Sequence, residues 1–272
     1  MPDLLKKLLQ TKILTAPPYD ASDSSQKTRP PSNLIGDLLK DSNDFLRAWH
    51  QEWSETGVQA ILAHSHRMNR PNLEALGVTG SVNQLNWKAA SIAAGVAKEK
   101  RLLMGGVITP LPSGNWNQSQ GLSFYIEQIG PLLDGGSHFI LFYGFAELAE
   151  IETALEALRN LHHCPAVVLW KISNRETGIT PDLSERVRNA GADVFGILGE
   201  ACQIAQTLPK LTPTPDTPLA AGLDETSLPL NTSSLTELFQ HGASMTVLPP
   251  ELRAADYVSI SRETSLRRDN QA

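Results

Sequence analysis

Residues 139–172 read FILFYGFAELAEIETALEALRNLHHCPAVVLWKI, and this stretch decides the fold. It begins with an apolar run, Phe139 to Tyr143, and ends with a second, Ala166 to Ile172, whose β-branched and aromatic residues favour strands. The segment between them has the three- and four-residue apolar spacing of an amphipathic helix, at Leu148, Ile151, Leu155 and Leu158. A strand, a helix and a strand in this order predict a parallel βαβ unit.

The same alternation recurs along the rest of the chain. Several helical patterns end in glycines placed for left-handed caps: Gly57, Gly135, Gly191 and Gly242. The candidate strands are Ile13–Thr15, Val58–His64, Leu102–Thr109, Phe139–Tyr143, Ala166–Ile172, Val194–Leu198, Leu219–Leu223 and Ser244–Leu248. Eight strand–helix units in 272 residues predict an α/β fold, a (β/α)8 TIM barrel, with reacting groups at the carboxyl ends of the strands. An open doubly wound sheet is the alternative.

Three segments fall outside this alternation, although the whole chain, residues 1–272, is expected to be a single domain. Residues 17–32, rich in Pro, Ser and Asp, follow the first strand and form either a mobile loop or an ordered lid. Residues 209–218 contain four prolines, and residues 262–272 form a polar tail. We expect these segments to be loops and a tail rather than parts of the barrel wall.

The composition limits the class of function. Hydrophobic residues make up 41% and charged residues 19%, which suits a globular core. The formal net charge of −6 provides no basic field for nucleic acid or for an anionic membrane surface. No apolar run approaches the roughly 20 residues of a spanning helix, and the first residues lack the regions of a signal peptide, so we expect a cytoplasmic protein. The two cysteines, Cys164 and Cys202, are too few for a disulfide framework.

Four stretches resemble one enzyme family in order and spacing. They are LAHSHRMNRPNLEALG at 62–77, VNQLNWKAASIA at 82–93, YIEQIGPLLDGG at 125–136 with the later FAELAE at 145–150, and RNAGADVFG at 188–196. Together they are similar to the homocysteine S-methyltransferase family over roughly residues 13 to 260. The resemblance agrees with the eight strands counted independently.

The resemblance implies a barrel in which a zinc ion, held by three cysteine thiolates at the ends of strands six and eight, activates the sulfur of homocysteine for attack on a methyl donor. In this sequence the first cysteine position falls on Gly199, and the adjacent pair after strand eight falls on Met245 and Thr246. The Asp-Gly pair usual after strand one is Thr15-Ala16, and the Glu-Thr pair usual at the end of strand four is Tyr143-Gly144. We therefore expect the framework of the family without its thiolate zinc site.

His64 and His66 form a His-x-His pair at the end of strand two, where alternate residues share a face and both rings could enter the barrel mouth. A metal site needs a third ligand, and neighbouring strand ends offer Glu200, Cys202, Asp224 and Glu225. Zinc held by His64, His66 and Cys202 is the minor alternative; the other interpretation is that the histidines hydrogen-bond to the backbone or to solvent. No cofactor is expected on that interpretation.

The candidate ligand-binding residues at the mouth are His64, His66, Asn69, Tyr143 and Glu200. Asn69 either orients a loop or a ligand, or forms an Asx turn. Lys171, near the end of strand five, is either a Schiff-base amine or a structural lysine, and its direction is open because its neighbour could be the inward residue. The sequence His162-His163-Cys164 precedes strand five and is interpreted as a turn at the amino face of the barrel.

Three hypotheses of function follow. The first is a barrel of the resembled family that binds a small, amino-acid-like or thiol-like metabolite without the thiolate zinc site, as a binding protein or pseudoenzyme. The second is an active methyltransferase or related metabolic enzyme with a rebuilt site at the mouth. The third is an interaction module whose acidic helix face, around Glu147 to Glu156, meets another protein. A protein partner or a second copy of the chain remains open in all three.

Overall fold

Parallel strands close into a barrel in the computed structural model, which describes residues 3–18, 44–78, 81–172, 179–211 and 218–259. The strands are β1 (Ile13–Thr15), β2 (Ala60–Leu62), β3 (Leu103–Ile108), β4 (Phe139–Phe145), β5 (Ala166–Lys171), β6 (Val194–Gly199), β7 (Leu219–Leu223) and β8 (Ala243–Val247). Each strand pairs in parallel with its sequence neighbours, and β8 pairs with β1. The predicted (β/α)8 TIM barrel is therefore confirmed, and the open doubly wound sheet is wrong.

Helices connect successive strands on the outside of the barrel, and one further helix precedes the first strand. They are α1 (Asp3–Gln10), α2 (Asp44–Ser54), α3 (Arg70–Ala75), α4 (Val82–Lys100), α5 (Gln118–Asp134), α6 (Leu148–Leu161), α7 (Pro181–Asn189), α8 (Ala201–Thr207) and α9 (Thr232–Gln240), with helical residues also at 254–259. Several begin at a polar residue whose side chain accepts a backbone N–H of the first turn: Ser81, Asn117, Thr180 and Asn231. None of the described helices is long and apolar enough to span a membrane.

Three of the four predicted cap glycines have the left-handed backbone, at φ +92° for Gly57, +117° for Gly191 and +102° for Gly242. The prediction for Gly135 is wrong, because the left-handed residue is its neighbour Gly136, at φ +100°. Gly135 instead permits close packing of α5 on α4, since a Cβ there would lie 2.4 Å from that of Ala90.

The apolar core has two layers, which follow from the alternation of side chains along each strand. An inner cluster fills the barrel with residues such as Ile13, Leu141 and Val167, and an outer cluster lies between the strands and the helices. Helix α1, which sequence reasoning did not predict, adds Leu4 and Leu8 to the inner cluster, where they are 0% and 4% exposed. Because α1 leads directly into β1, these leucines close the amino end of the barrel and leave the carboxyl end as its mouth.

Two predicted segments lie mostly or wholly outside the described residues. Only Pro17 and Pro18 of the predicted loop 17–32 are described, and none of the tail 262–272 is.

Candidate functional site

Strand alternation brings three polar side chains to the inner face at the mouth. Tyr143 of β4 belongs to the inner cluster. Thr15 has the same parity as the inner residue Ile13, and its buried hydroxyl has no hydrogen-bond partner among the described residues. Lys171 continues the inner parity of β5 and is exposed, whereas Trp170 packs in the outer cluster. The direction that the sequence left open is therefore inward for Lys171.

A bulge at the end of β4 shapes this part of the mouth. The pairing of β4 with β5 shifts between Tyr143 and Phe145, and the intervening Gly144 has φ +83°, which a residue with a Cβ adopts only with strain. The extra residue keeps Tyr143 on the inner face and turns Phe145 into the outer cluster, where its ring lies 6.1 Å from that of Tyr125.

Buried hydrogen bonds from β3, α4 and α5 hold the loop between β2 and α3. The Ser65 hydroxyl donates to the carbonyl of Val107 and accepts the N–H of the same residue, at 2.8 and 2.9 Å. From α5, Gln128 Nε2 donates to the carbonyl of Ser65 at 2.9 Å. From α4, Asn86 Nδ2 donates to the carbonyl of Met68 at 2.9 Å. These contacts fix the loop that carries both candidate histidines.

The two histidines of this loop face different neighbours. The His66 ring lies 6.0 Å from the Tyr143 ring, in an edge-on arrangement at the mouth. The His64 ring is buried against helix α2, 4.8 Å from the ring of Trp49 and 4.5 Å from that of His50. The expectation that both rings enter the mouth together is therefore wrong, because the strand ends before His64 and its alternation no longer applies.

His64 and His50 form a hydrogen-bonded pair, with His64 Nδ1 2.9 Å from His50 Nε2. Burial lowers the pKa of His50 to about 3. Burial, and then the nearby His50, lower the pKa of His64 well below its usual value. Both imidazoles are therefore neutral near pH 7, and because one ring donates to the other, the tautomer of one ring determines that of its partner.

Sequence reasoning missed His50, although a signal for it was present. His50 lies on the buried face of α2 together with Leu46 and Trp53, at the four- and three-residue spacing of an apolar stripe. A histidine in such a stripe needs a buried polar partner, because an unmade buried hydrogen bond is costly.

Asn69 starts helix α3, where its Oδ1 accepts the N–H of Asn72 at 3.1 Å. The structure thus realises the Asx-type interpretation of this residue. Its Nδ2 is buried and has no partner in the described part of the chain. Asn69 therefore fixes the end of the loop between β2 and α3.

Glu200 and Cys202 lie at the start of α8, past the end of β6. Glu200 is half-buried and makes no side-chain cap to the helix. Cys202 is exposed, and desolvation followed by its hydrogen bond to Glu200 raises the pKa of its thiol. The carboxylate therefore favours the protonated thiol, which is a poor metal ligand.

Comparison with known proteins gives the family of the chain. The sequence profile of homocysteine S-methyltransferases matches residues 6–213. The chain belongs to this family. No curated protein matches the sequence significantly.

Solved structures with the same barrel include members of this family and more distant enzymes. Homocysteine methyltransferase MmuM from Escherichia coli, in its metallated form, has a TM-score of 0.78 at 17% identity, covering 95% of this chain and 99% of that one. Its apo form has a TM-score of 0.71 at 19% identity, covering 95% and 98%. An oxaloacetate acetylhydrolase has a TM-score of 0.55 at 15% identity, covering 100% and 88%. At identities below 20%, the similarity to these structures shows a shared fold and nothing further.

The thiolate positions implied by the family resemblance carry no thiol in this homocysteine S-methyltransferase relative. Gly199 ends β6, and a Cβ there would lie 3.5 Å from Ile172, in ordinary contact. Met245 and Thr246 lie within β8, which corrects their expected location after it. Met245 faces the inner cluster, and strand alternation turns Thr246 the other way. These two side chains therefore do not converge at the mouth.

The donor set does not fit a zinc ion. Among the described residues, no three His, Cys, Asp or Glu side chains are grouped to hold a metal. The proposed third ligands are engaged elsewhere or exposed: the Asp224 carboxylate accepts the N–H of Thr226 at 3.1 Å, and Glu225 is exposed. Cys164 precedes β5 at the amino end of the barrel, as its interpretation as part of a turn requires, and burial raises the pKa of its thiol to about 11.

Proposed function

We propose that this member of the homocysteine S-methyltransferase family binds a small amino-acid-like or thiol-like metabolite at the mouth of the barrel, without the thiolate zinc site. The observation that carries the proposal is a contrast between the polar side chains at the mouth and the residues at the three zinc-ligand positions. A hydroxyl, an imidazole and an amine gather at the strand ends, while the three zinc-ligand positions carry Gly199, Met245 and Thr246.

His66 and Tyr143 are the proposed contacts of the ligand at the bottom of the mouth. Their edge-on rings offer an apolar wall together with a hydroxyl and ring nitrogens, which suits a small ligand with a polar end. The buried Thr15 hydroxyl, which has no hydrogen-bond partner among the described residues, adds a further polar group on the inner face.

Opposite charges on neighbouring strands suit a zwitterion. Lys171 pairs in register with Leu198, and Glu200 follows directly after the end of β6 at Gly199. An ammonium and a carboxylate on adjacent strand ends complement the carboxylate and ammonium of an amino acid. Glu200 also accepts a hydrogen bond from the Cys202 thiol. Desolvation and then this bond raise the pKa of the thiol and so favour the protonated form over a metal-binding thiolate.

His64 and Asn69 are positioning residues in this account. His64 anchors the loop to helix α2 through His50, and Asn69 fixes the start of α3. Between these two anchors the loop presents His66 to the mouth. The proposal assigns neither anchor a direct contact with the ligand.

Isothermal titration calorimetry of the whole chain with homocysteine, methionine and cysteine tests the proposal. At least one of these is expected to bind, and Tyr143→Phe and Lys171→Gln should each weaken binding about tenfold, because each removes a hydrogen bond or ion pair in a partly desolvated site. Lys210→Gln, an exposed lysine outside the mouth, is the matched control and should bind as the wild type does.

The absence of binding by all three compounds, or equal weakening by the control, would contradict the proposal. A parallel assay of methyl transfer to homocysteine separates binding from catalysis. Turnover that is lost in the Tyr143→Phe variant would favour the active-enzyme hypothesis.

A further inference from the structure

A cavity lies outside the barrel mouth, between the amino-terminal halves of α5 and α6 and the loop that follows β3. Its volume is about 580 Å³, within the usual range for organic ligands. None of the polar residues assigned to the mouth lines it. Gly121 of α5 belongs to its lining, where a Cβ would lie in ordinary contact with Thr153, at 3.7 Å.

Trp116 forms one rim of this cavity and is 40% exposed, yet it is held in a defined position. Its Nε1 donates to the carbonyl of Pro112 at 3.0 Å, and its ring meets that of Phe124 edge-on at 5.4 Å. A Cβ on Gly114 would lie 2.6 Å from the indole, so the ring packs directly on the backbone of the loop. An aromatic face that is ordered in advance loses little conformational entropy when a ligand stacks on it.

Helix α6 contributes three carboxylates to the lining of the cavity. Glu150 is fixed, because one of its oxygens accepts the Leu111 N–H at 2.7 Å and the Tyr125 hydroxyl at 2.8 Å. Glu152 and Glu156 are exposed one turn apart and form no ion pair with any described residue. Like charges at this spacing disfavour the helix slightly, and a cation in the cavity would relieve that repulsion.

Among the residues that the structure describes, no Lys or Arg side chain lines the cavity, so its carboxylates have no counter-charge from these residues. An acidic helix face alone would be an ordinary solvated surface. Here the acidic residues and an ordered indole line the same cavity, whose volume suits an organic ligand, and both features favour the same chemistry. A guanidinium group stacks on an indole and donates in pairs to carboxylates, whereas an ammonium group does the second less well.

We propose that the cavity between α5 and α6 binds a guanidinium-bearing ligand, stacked on Trp116 and paired with Glu152 and Glu156. The site is distinct from the mouth and does not depend on its proposed function. The guanidinium belongs either to a free arginine-like compound or to an arginine of a peptide segment, and the titration distinguishes these sources.

The probes are Nα-acetylarginine amide and the pentapeptide GGRGG, each titrated by calorimetry into the full chain beside its citrulline analogue. Citrulline keeps the shape and removes the charge. Both arginine probes are expected to bind, and each citrulline analogue should bind at least tenfold more weakly. Similar affinities for the two arginine probes indicate a free compound, and a peptide bound at least tenfold more tightly indicates a peptide segment.

Variants locate the binding. Trp116→Leu should weaken it about threefold to fivefold, and the double variant Glu152→Gln, Glu156→Gln about tenfold. The matched controls are Trp87→Leu, at an exposed tryptophan of α4, and Glu185→Gln, at an exposed carboxylate of α7; both should leave the affinity unchanged.

Far-UV circular dichroism verifies that each variant is folded, and Tyr143→Phe should leave the affinity for the arginine probes unchanged. The proposal is overturned if neither arginine probe binds, if citrulline binds equally well, or if the cavity variants behave like the controls.

Discussion

Acidification is expected to destabilise the protein through the buried pair His50 and His64. Both rings are neutral in the folded state, and burial lowers the pKa of His50 to about 3 and that of His64 well below its usual value. In the unfolded chain each ring has an ordinary pKa near 6.5. The unfolded state therefore binds more protons below that pH, so stability is complete above about pH 6.5 and falls as the pH decreases toward the folded-state values.

The magnitude follows from the distance between the pH and the unfolded-state pKa. At pH 5, about 1.5 units below 6.5, protonation stabilises the unfolded chain by about 2 kcal/mol for each imidazole that stays neutral when folded. For the two rings together the loss is about 2 to 4 kcal/mol between pH 7.5 and pH 5. Such a loss is a large part of the total stability of about 5 to 15 kcal/mol that is typical of a protein.

Urea denaturation followed by circular dichroism at pH 7.5 and pH 5 measures this loss. The variant His50→Leu, His64→Leu removes both titrating groups together, so no buried nitrogen of the pair is left without its partner. It should lose about 2 to 4 kcal/mol less than the wild type over the same pH interval. The control His162→Gln, at an exposed histidine, should keep the wild-type dependence. An unchanged pH dependence in the double variant would refute the reasoning.

Five further substitutions, which test three features of the barrel, are to be measured by urea denaturation. Leu4→Ala should cost about 2 to 4 kcal/mol, because it opens the plugged amino end; a loss below 1 kcal/mol would contradict that role. Gly144→Ala should lower the free energy of unfolding by about 1 to 2 kcal/mol, because residue 144 has φ +83°. Gly130→Ala, in open space within α5, should leave stability unchanged or raise it. A larger loss for Gly130→Ala than for Gly144→Ala would contradict the left-handed bulge. Gly199→Cys should be tolerated. Gly196→Ala should destabilise the protein strongly, because the new Cβ would lie 2.2 Å from a backbone oxygen. Equal stability of the two variants would contradict the close packing of β6 on β7 at Gly196.

Much of the fold could be predicted from the sequence, because strand–helix alternation is a local pattern that repeats. Strands β1 and β7 begin and end at the predicted residues, and the others differ by one or two residues at one or both ends. Helix α1 was missed because its leucines pack into the barrel from a segment that precedes the repeat. The bulge at Gly144 was also missed, since it depends on the pairing of β4 with β5 rather than on local composition.

The candidate site was harder to predict, because side-chain direction at a strand end depends on where pairing stops. His66 and Tyr143 do come together at the mouth, as two of the predicted ligand-binding residues. His64 does not join them, since β2 ends at Leu62 and His64 turns to α2. Their assignment as ligand contacts stays a prediction, and so does a cytoplasmic location.

We propose that the mouth of the barrel binds its ligand without a thiolate zinc site. The most direct test is calorimetric titration of the native protein with homocysteine before and after dialysis against EDTA, with zinc measured by elemental analysis in both samples. The account predicts zinc far below one atom per chain and an affinity unchanged by EDTA. About one zinc per chain, together with loss of homocysteine binding on chelation, would contradict it.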